Sequence, residues 1–198
     1  MQPETRTCVP RLWREKAMKK NLAVGFVLAV LALTGCDRGG GRYDENVSVP
    51  KGDPAFPPLG TSWVIDKAGV LSAPVVASGD AVCQRLKTDG VAEVVVVVMT
   101  GVKQPDAWAT HYGRWLGLGR KGLSTEGGNN GVVWLIRPDA SEKLTVSVGR
   151  GLPKFTTVDY GPIVASAVEY FNFNNYDKGV ATLVNQTDEV LRRIYDDE

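Results

Sequence analysis

Two runs of consecutive apolar residues stand out along the chain, Val94–Val98 and Val132–Ile136. Each is short, rich in β-branched side chains and bounded by turn residues: Asp89-Gly90 before the first, Asn129-Asn130-Gly131 and Arg137-Pro138 around the second. Runs this short with no polar alternation predict strands buried on both faces. Such strands need helices on either side, and the flanking segments predict them. Ser72 reads as the cap of a helix with Pro74 in its first turn, and Val75, Val76, Val82, Cys83 and Leu86 form one stripe on it that ends at Asp89-Gly90. After Gln104-Pro105-Asp106, the aromatics Trp108, Tyr112 and Trp115 share a helix face and predict core packing. Two further helices follow. One is capped at Asp159, has Pro162 just inside, and carries Ile163, Val164, Ala167, Val168 and Phe171. The other is capped at Asp177 and carries Val180, Leu183, Val184, Val190, Leu191 and Ile194. Trp63-Val64-Ile65 predicts a short opening strand. Leu144, Val146 and Val148, alternating with Thr145 and Ser147, predict a half-exposed antiparallel strand near a sheet edge. The order β-α-β-α-β-β-α-α implies an α/β fold, a three-layer α/β/α sandwich with a mixed sheet of about four strands.

The N-terminal pattern is different. Lys19-Lys20 precede an apolar stretch from Leu22 to Leu33, which is shorter than a membrane span and reads as a signal-peptide core. It closes on Leu33-Thr34-Gly35-Cys36, which resembles the bacterial lipobox and implies cleavage before Cys36 and lipidation of its thiol. The competing reading is an uncleaved membrane anchor. A charged stretch directly follows Met18, so residues 1–17 read as a gene-model extension of the signal peptide, 1–35. Residues 36–60, rich in Gly, Pro and charge, read as a lipidated, disordered tether, and 61–198 as the folded domain. The implied location is the bacterial cell envelope, on the periplasmic face. Asp37, directly after the cysteine, favours the inner membrane.

Charge and cysteine usage narrow the partners. Before Cys36 stand six Lys/Arg and two acids, which leaves 17 basic against 20 acidic residues, a net of −3 for the remainder. A weakly acidic chain without a basic cluster has no footprint for nucleic acid. Cys83 alone remains once Cys8 and Cys36 are removed or modified, so no internal disulfide forms, and its place on an apolar stripe predicts an inert buried thiol.

Candidate chemistry is sparse. Gly117-x-Gly119-x-x-Gly122 matches the dinucleotide spacing but follows a helix and precedes a loop, where the mechanism requires a strand before and a helix after. His111 is the sole histidine and sits mid-helix, which removes most nucleophile–base schemes. What remains is a set of oxygen-bearing residues beside strand ends: Asp66, Asp106, Asn129, Asn130 and Asp159. Gathered at one rim they would suit a hard cation, Ca²⁺ or Mg²⁺. Each also has a plainer role, Asp106 and Asp159 as helix caps and Asp66, Asn129 and Asn130 as turn residues.

Several stretches resemble one family. Val64-Ile65-Asp66-Lys67-Ala68-Gly69-Val70-Leu71-Ser72 is similar to the V-x-D-x-A-G-x-L-S opening of the TPM domain. Glu93–Val98 resembles its central strand, Trp115–Gly119 its W-x-x-G element, Asn130–Leu135 its N-G-V-L-L-L strand, Gly149–Leu152 its G-Y-G-L-E turn and Tyr176–Gly179 its late Y-x-x-G. The resemblance covers about residues 62–195. It implies an α/β/α sandwich, often membrane-tethered, with a Ca²⁺ site in some members and acid phosphatase activity in a few. By position it makes Asp66 and Asp159, with Asn129 and Asn130 beside them, the metal-binding candidates. The family often has Asp where Asn129 stands, so the site carries less negative charge and binds a cation less tightly, and Glu where Pro153 stands, which removes another oxygen ligand. The alternative function is a non-catalytic adaptor or assembly factor docking on a membrane-protein partner.

Overall fold

The computed structural model describes residues 43–119 and 128–195. The proposed signal peptide, Cys36 and most of the Gly-rich loop before Asn129 lie outside the described residues. The elements are β1 (Val64–Asp66), α1 (Ala73–Thr88), β2 (Glu93–Val98), α2 (Pro105–Leu116), β3 (Gly131–Ile136), β4 (Leu144–Val148), α3 (Thr157–Asn172) and α4 (Tyr176–Tyr195). The sheet order is β1-β2-β3-β4; the first three strands are parallel and β4 is antiparallel to β3. Every residue of β2 and β3 is buried, as their unbroken apolar runs predict. β4 is buried at Leu144 and Thr145 and half-exposed beyond.

The register fixes which helix covers which face. Val64, Val96 and Trp134 are aligned neighbours and point the same way. A β-carbon on Gly79 would lie 2.8 Å from the Val64 side chain, so α1 packs on that face; it packs also against α4. Val133, one residue out of phase, points to the other face and meets α2 at Gly113. The result is a three-layer sandwich with α2 on one face and α1, backed by the α3–α4 hairpin, on the other. Trp108, Tyr112, Trp134 and Phe171 are its largest fully buried side chains.

Three local expectations need correction. Ser72 precedes α1 in the cap position, but its side chain makes no cap bond; its backbone N–H instead donates to Asp177 Oδ1 at 2.8 Å. α3 begins at Thr157, so Asp159 is inside the first turn and Pro162 deeper. α4 begins at Tyr176, one residue before Asp177.

The larger correction concerns the tether. Residues 43–60 are an ordered strap laid along α2. Tyr43 stacks on Trp115, and Asp44 N donates to Trp115 O at 2.8 Å. Phe56 is buried against Trp108, Tyr112 and Trp115. Trp108 Nε1 donates to Pro54 O at 2.9 Å and Tyr112 Oη to Pro57 O at 2.8 Å. His111 Nδ1 lies 3.0 Å from Ser48 O, and Asp53 Oδ1 accepts from Lys103 N at 2.7 Å. The aromatic stripe of α2 is therefore core, as its spacing predicts, and its polar tips bind a segment with no periodicity of its own. Prolines 50, 54, 57 and 58 lower the entropy lost when the strap orders.

Candidate functional site

The four proposed metal residues are best placed from the strand ends. Asp66 closes β1 and is aligned with Val98 at the carboxyl end of β2 and, through it, with Ile136. Its Oδ1 accepts from Ala68 N (3.0 Å) and Gly69 N (2.8 Å), and its Oδ2 from Leu71 N (2.7 Å). The carboxylate thus folds the Asp66–Ser72 loop around itself. The next amide, Ser72 N, is taken by Asp177, so Asp66 and Asp177 approach the same corner from different segments.

Asn129 and Asn130 lie at the other edge. They precede Gly131, which pairs with Glu93 at the amino end of β2. Five residue steps along the strand lead from Glu93 to Val98, about 17 Å along the axis. Asn129 has φ of +68° and its carbonyl accepts from Gly151 N at 2.9 Å. A β-carbon on Gly149 would collide with that Asn129 carbonyl, so the glycine lets the two turns touch. Asn130 is fully buried and donates from Nδ2 to Val91 O at 3.1 Å. Both asparagines hold the entry into β3.

Asp159 is the third residue of α3. Its Oδ2 accepts from the backbone N–H (2.9 Å) and the hydroxyl (2.8 Å) of Thr156, the returning half of a capping box. Those bonds hold its carboxyl below the usual carboxylate range, with a smaller contribution from Arg193. Arg193 is sixteen residues beyond Asp177 on α4, about 24 Å of helix. Asp66 stands by Asp177 and Asp159 by Arg193, so the two acids occupy opposite ends of α4.

The four residues do not form one centre. A Ca²⁺ ion gathers about six to eight oxygens within about 2.6 Å, and this set spans the length of the domain. Among the described residues no three His, Cys, Asp or Glu side chains are grouped as a metal would require. The plainer readings hold: Asp66 and both asparagines shape turns and Asp159 closes a capping box. Asp106, read as a cap, lies in the first turn of α2 behind Gln104.

Other reactive groups are likewise committed. Cys83 is fully buried and desolvation pushes its thiol up to about 12, so it supplies no thiolate at neutral pH. His111 holds the strap. Sequence reasoning passed over Asp80, which accepts from Trp63 N and Val64 N, each at 2.7 Å, and from the Ser62 hydroxyl. It also passed over Arg114 and Arg150, which line a cleft beside Asn129. Their signal was weak, since they lie 36 residues apart in the chain.

The family model of the TPM domain matches residues 64–190. No curated protein matches the chain. Among solved structures, the chain is similar to the N-terminal domain of a protein from P. gingivalis, with a TM-score of 0.58 and 21% identity over 69% of this chain and 85% of that one. It is also similar to the N-terminal domain of the cg2496 protein from Corynebacterium glutamicum, with a TM-score of 0.50 and 14% identity over 72% of this chain and 86% of that one. At these identities the likeness is one of fold.

Proposed function

The chain belongs to the TPM domain family, and on that premise we propose that it is a lipid-anchored binding module of the bacterial envelope, held near the membrane surface. One observation supports the reading most. The strap is fastened to α2 from Tyr43 onward, by ring stacking and by the Asp44–Trp115 backbone bond. Only residues 37–42 then separate the cysteine of the lipobox from the folded domain. Seven Cα–Cα steps reach at most about 25 Å, so a domain anchored at Cys36 stays within protein-sized distance of the headgroups. Two or more acyl chains make such anchoring stable. Its partner is a membrane protein or another component of that surface. Phe173, 81% exposed at the end of α3, is the one apolar side chain of the Tyr170–Phe173 stretch that stands in solvent.

The test is fractionation of cells carrying the wild-type chain or Cys36→Ser. The reading predicts that the wild type is extracted from membranes only by detergent and that Cys36→Ser abolishes acylation. A wild-type protein without acyl groups contradicts it.

Divalent-cation binding is a second reading, favoured by one contact: Asp66 and Asp177 accept the successive amides Leu71 N and Ser72 N. Ca²⁺, or Mg²⁺ in its place, would meet these two carboxylates and complete its shell with water. Calorimetric titration with Ca²⁺, and loss of the heat in Asp177→Asn, is the expected result; no heat from the wild type ends this reading. Phosphate-monoester hydrolysis rests on the family resemblance alone.

A further inference from the structure

Between α2 and the edge strand β4 lies a cleft of about 160 Å³. It is smaller than the roughly 300–1,000 Å³ of pockets that hold whole small molecules, and suits a single compact polar group. Among the described residues its lining includes two arginines and neither aspartate nor glutamate. Arg114 comes from the last turn of α2 and Arg150 from the turn after β4. Both are exposed, and among the described residues neither makes an ion pair.

The wall between them is mixed: Leu118, Val133 and Val148 line it beside a fixed polar pair. Thr110 lies one turn before Arg114 on the same helix face, and its Oγ1 is 3.1 Å from Ser147 Oγ on β4. A hydroxyl pair uses one of its two protons internally, so the second is available to an acceptor in the cleft. Asn129 lies at one end of the cleft, held against the Gly149 backbone. The site therefore offers two guanidinium groups, a hydroxyl proton and a side-chain amide.

We propose that this cleft is an oxyanion site for a phosphate monoester group, with Arg114 and Arg150 neutralising its charge and the Thr110–Ser147 pair and Asn129 orienting it. A phosphomonoester carries about −1.5 to −2 charges at neutral pH, which two guanidinium groups balance; a carboxylate would leave one uncompensated. The planar donors of arginine match phosphate oxygens in pairs. The group can come from a soluble phosphate or from the headgroup of an anionic lipid. The inference names a ligand for the binding module proposed above, and it rests on membrane anchoring only for the lipid source.

The experiment uses the full chain purified in neutral detergent. It is titrated with inorganic phosphate, and its binding to phosphatidylcholine vesicles is compared with and without phosphatidic acid. Arg114→Gln, Arg150→Gln and the double variant are measured alongside, with thermal melts to show that these exposed substitutions leave the fold intact. Saturable binding of inorganic phosphate that weakens roughly tenfold or more in each single variant, as loss of a charge-assisted hydrogen bond implies, and disappears in the double variant supports the site with a soluble ligand. Extra binding to phosphatidic-acid vesicles that the double variant loses, without binding of inorganic phosphate, supports it with a lipid headgroup. Absence of both interactions, or binding that the double variant retains, overturns it. The inorganic-phosphate outcomes do not depend on acylation of Cys36, which is read separately; in the vesicle arm the acyl chains contribute alike with and without phosphatidic acid and in every variant.

Discussion

Tyr43 stacks on Trp115 with ring centroids 4.2 Å apart and planes inclined by 15°. This contact fastens the outer end of the strap to the last turn of α2. Replacing Trp115 with Ala removes one ring of the stack, worth about 0.5–1.5 kcal/mol beyond its area burial. Amide exchange at Asp44 and Val47 is expected to accelerate severalfold or more, while β2 and β3 amides keep their protection. Unchanged exchange at the strap would mean that Phe56 and the prolines hold it alone.

Asp80 is expected to be the most costly carboxylate to remove. Its Oδ1 accepts both Trp63 N and Val64 N at 2.7 Å. Asp80→Ala leaves these amides without their acceptor beside a buried Trp63 and Val64. At about 1–3 kcal/mol for each unsatisfied buried group, urea unfolding should show a loss of roughly 2–6 kcal/mol. Asp80→Asn keeps an acceptor oxygen and should lose less.

Asp159 gives a pH signature. Its folded-state pKa lies below the ordinary 3.8 because Thr156 donates two hydrogen bonds to the ionised form. A depressed carboxyl contributes stability that is fully present above 3.8 and is lost as pH falls through its folded value. The stability gap between wild type and Asp159→Ala should therefore be constant near neutral pH and shrink in acid below that value. The group is near the surface, so the gap is modest, and equilibrium unfolding across pH measures it.

Gly179 tests the α3–α4 hairpin. A β-carbon there would collide with the ring of Phe171, which is fully buried and has no room to swing. Gly179→Ala is expected to destabilise by about 1–3 kcal/mol as overpacking, despite the better helix propensity of alanine. Pairing it with Phe171→Leu should recover part of the loss in thermal melts.

The sheet was legible because Val94–Val98 and Val132–Ile136 carry no polar residue, a pattern that only double burial explains. The strap was not. Its order comes from Trp108, Tyr112 and Trp115, more than fifty residues away, and segments without periodicity leave no local trace of such partners. The candidate site failed for a reason that was available in one dimension. Asp66 follows a strand, whereas Asn129 and Asn130 precede one running parallel to it. Residues after and before parallel strands fall on opposite edges, and ligand crevices form at the carboxyl edge alone. Strand direction, applied to the same residues, separates them before any coordinates. Asp177 and Asp80 escaped notice because their partners are backbone amides, which every residue carries and no pattern marks.

The most direct test of the account is the intact mass of the protein extracted from membranes. The account predicts a chain beginning at Cys36 and heavier than its peptide mass by the acyl groups on that residue. An unmodified chain, or one that retains the residues before Cys36, would contradict it.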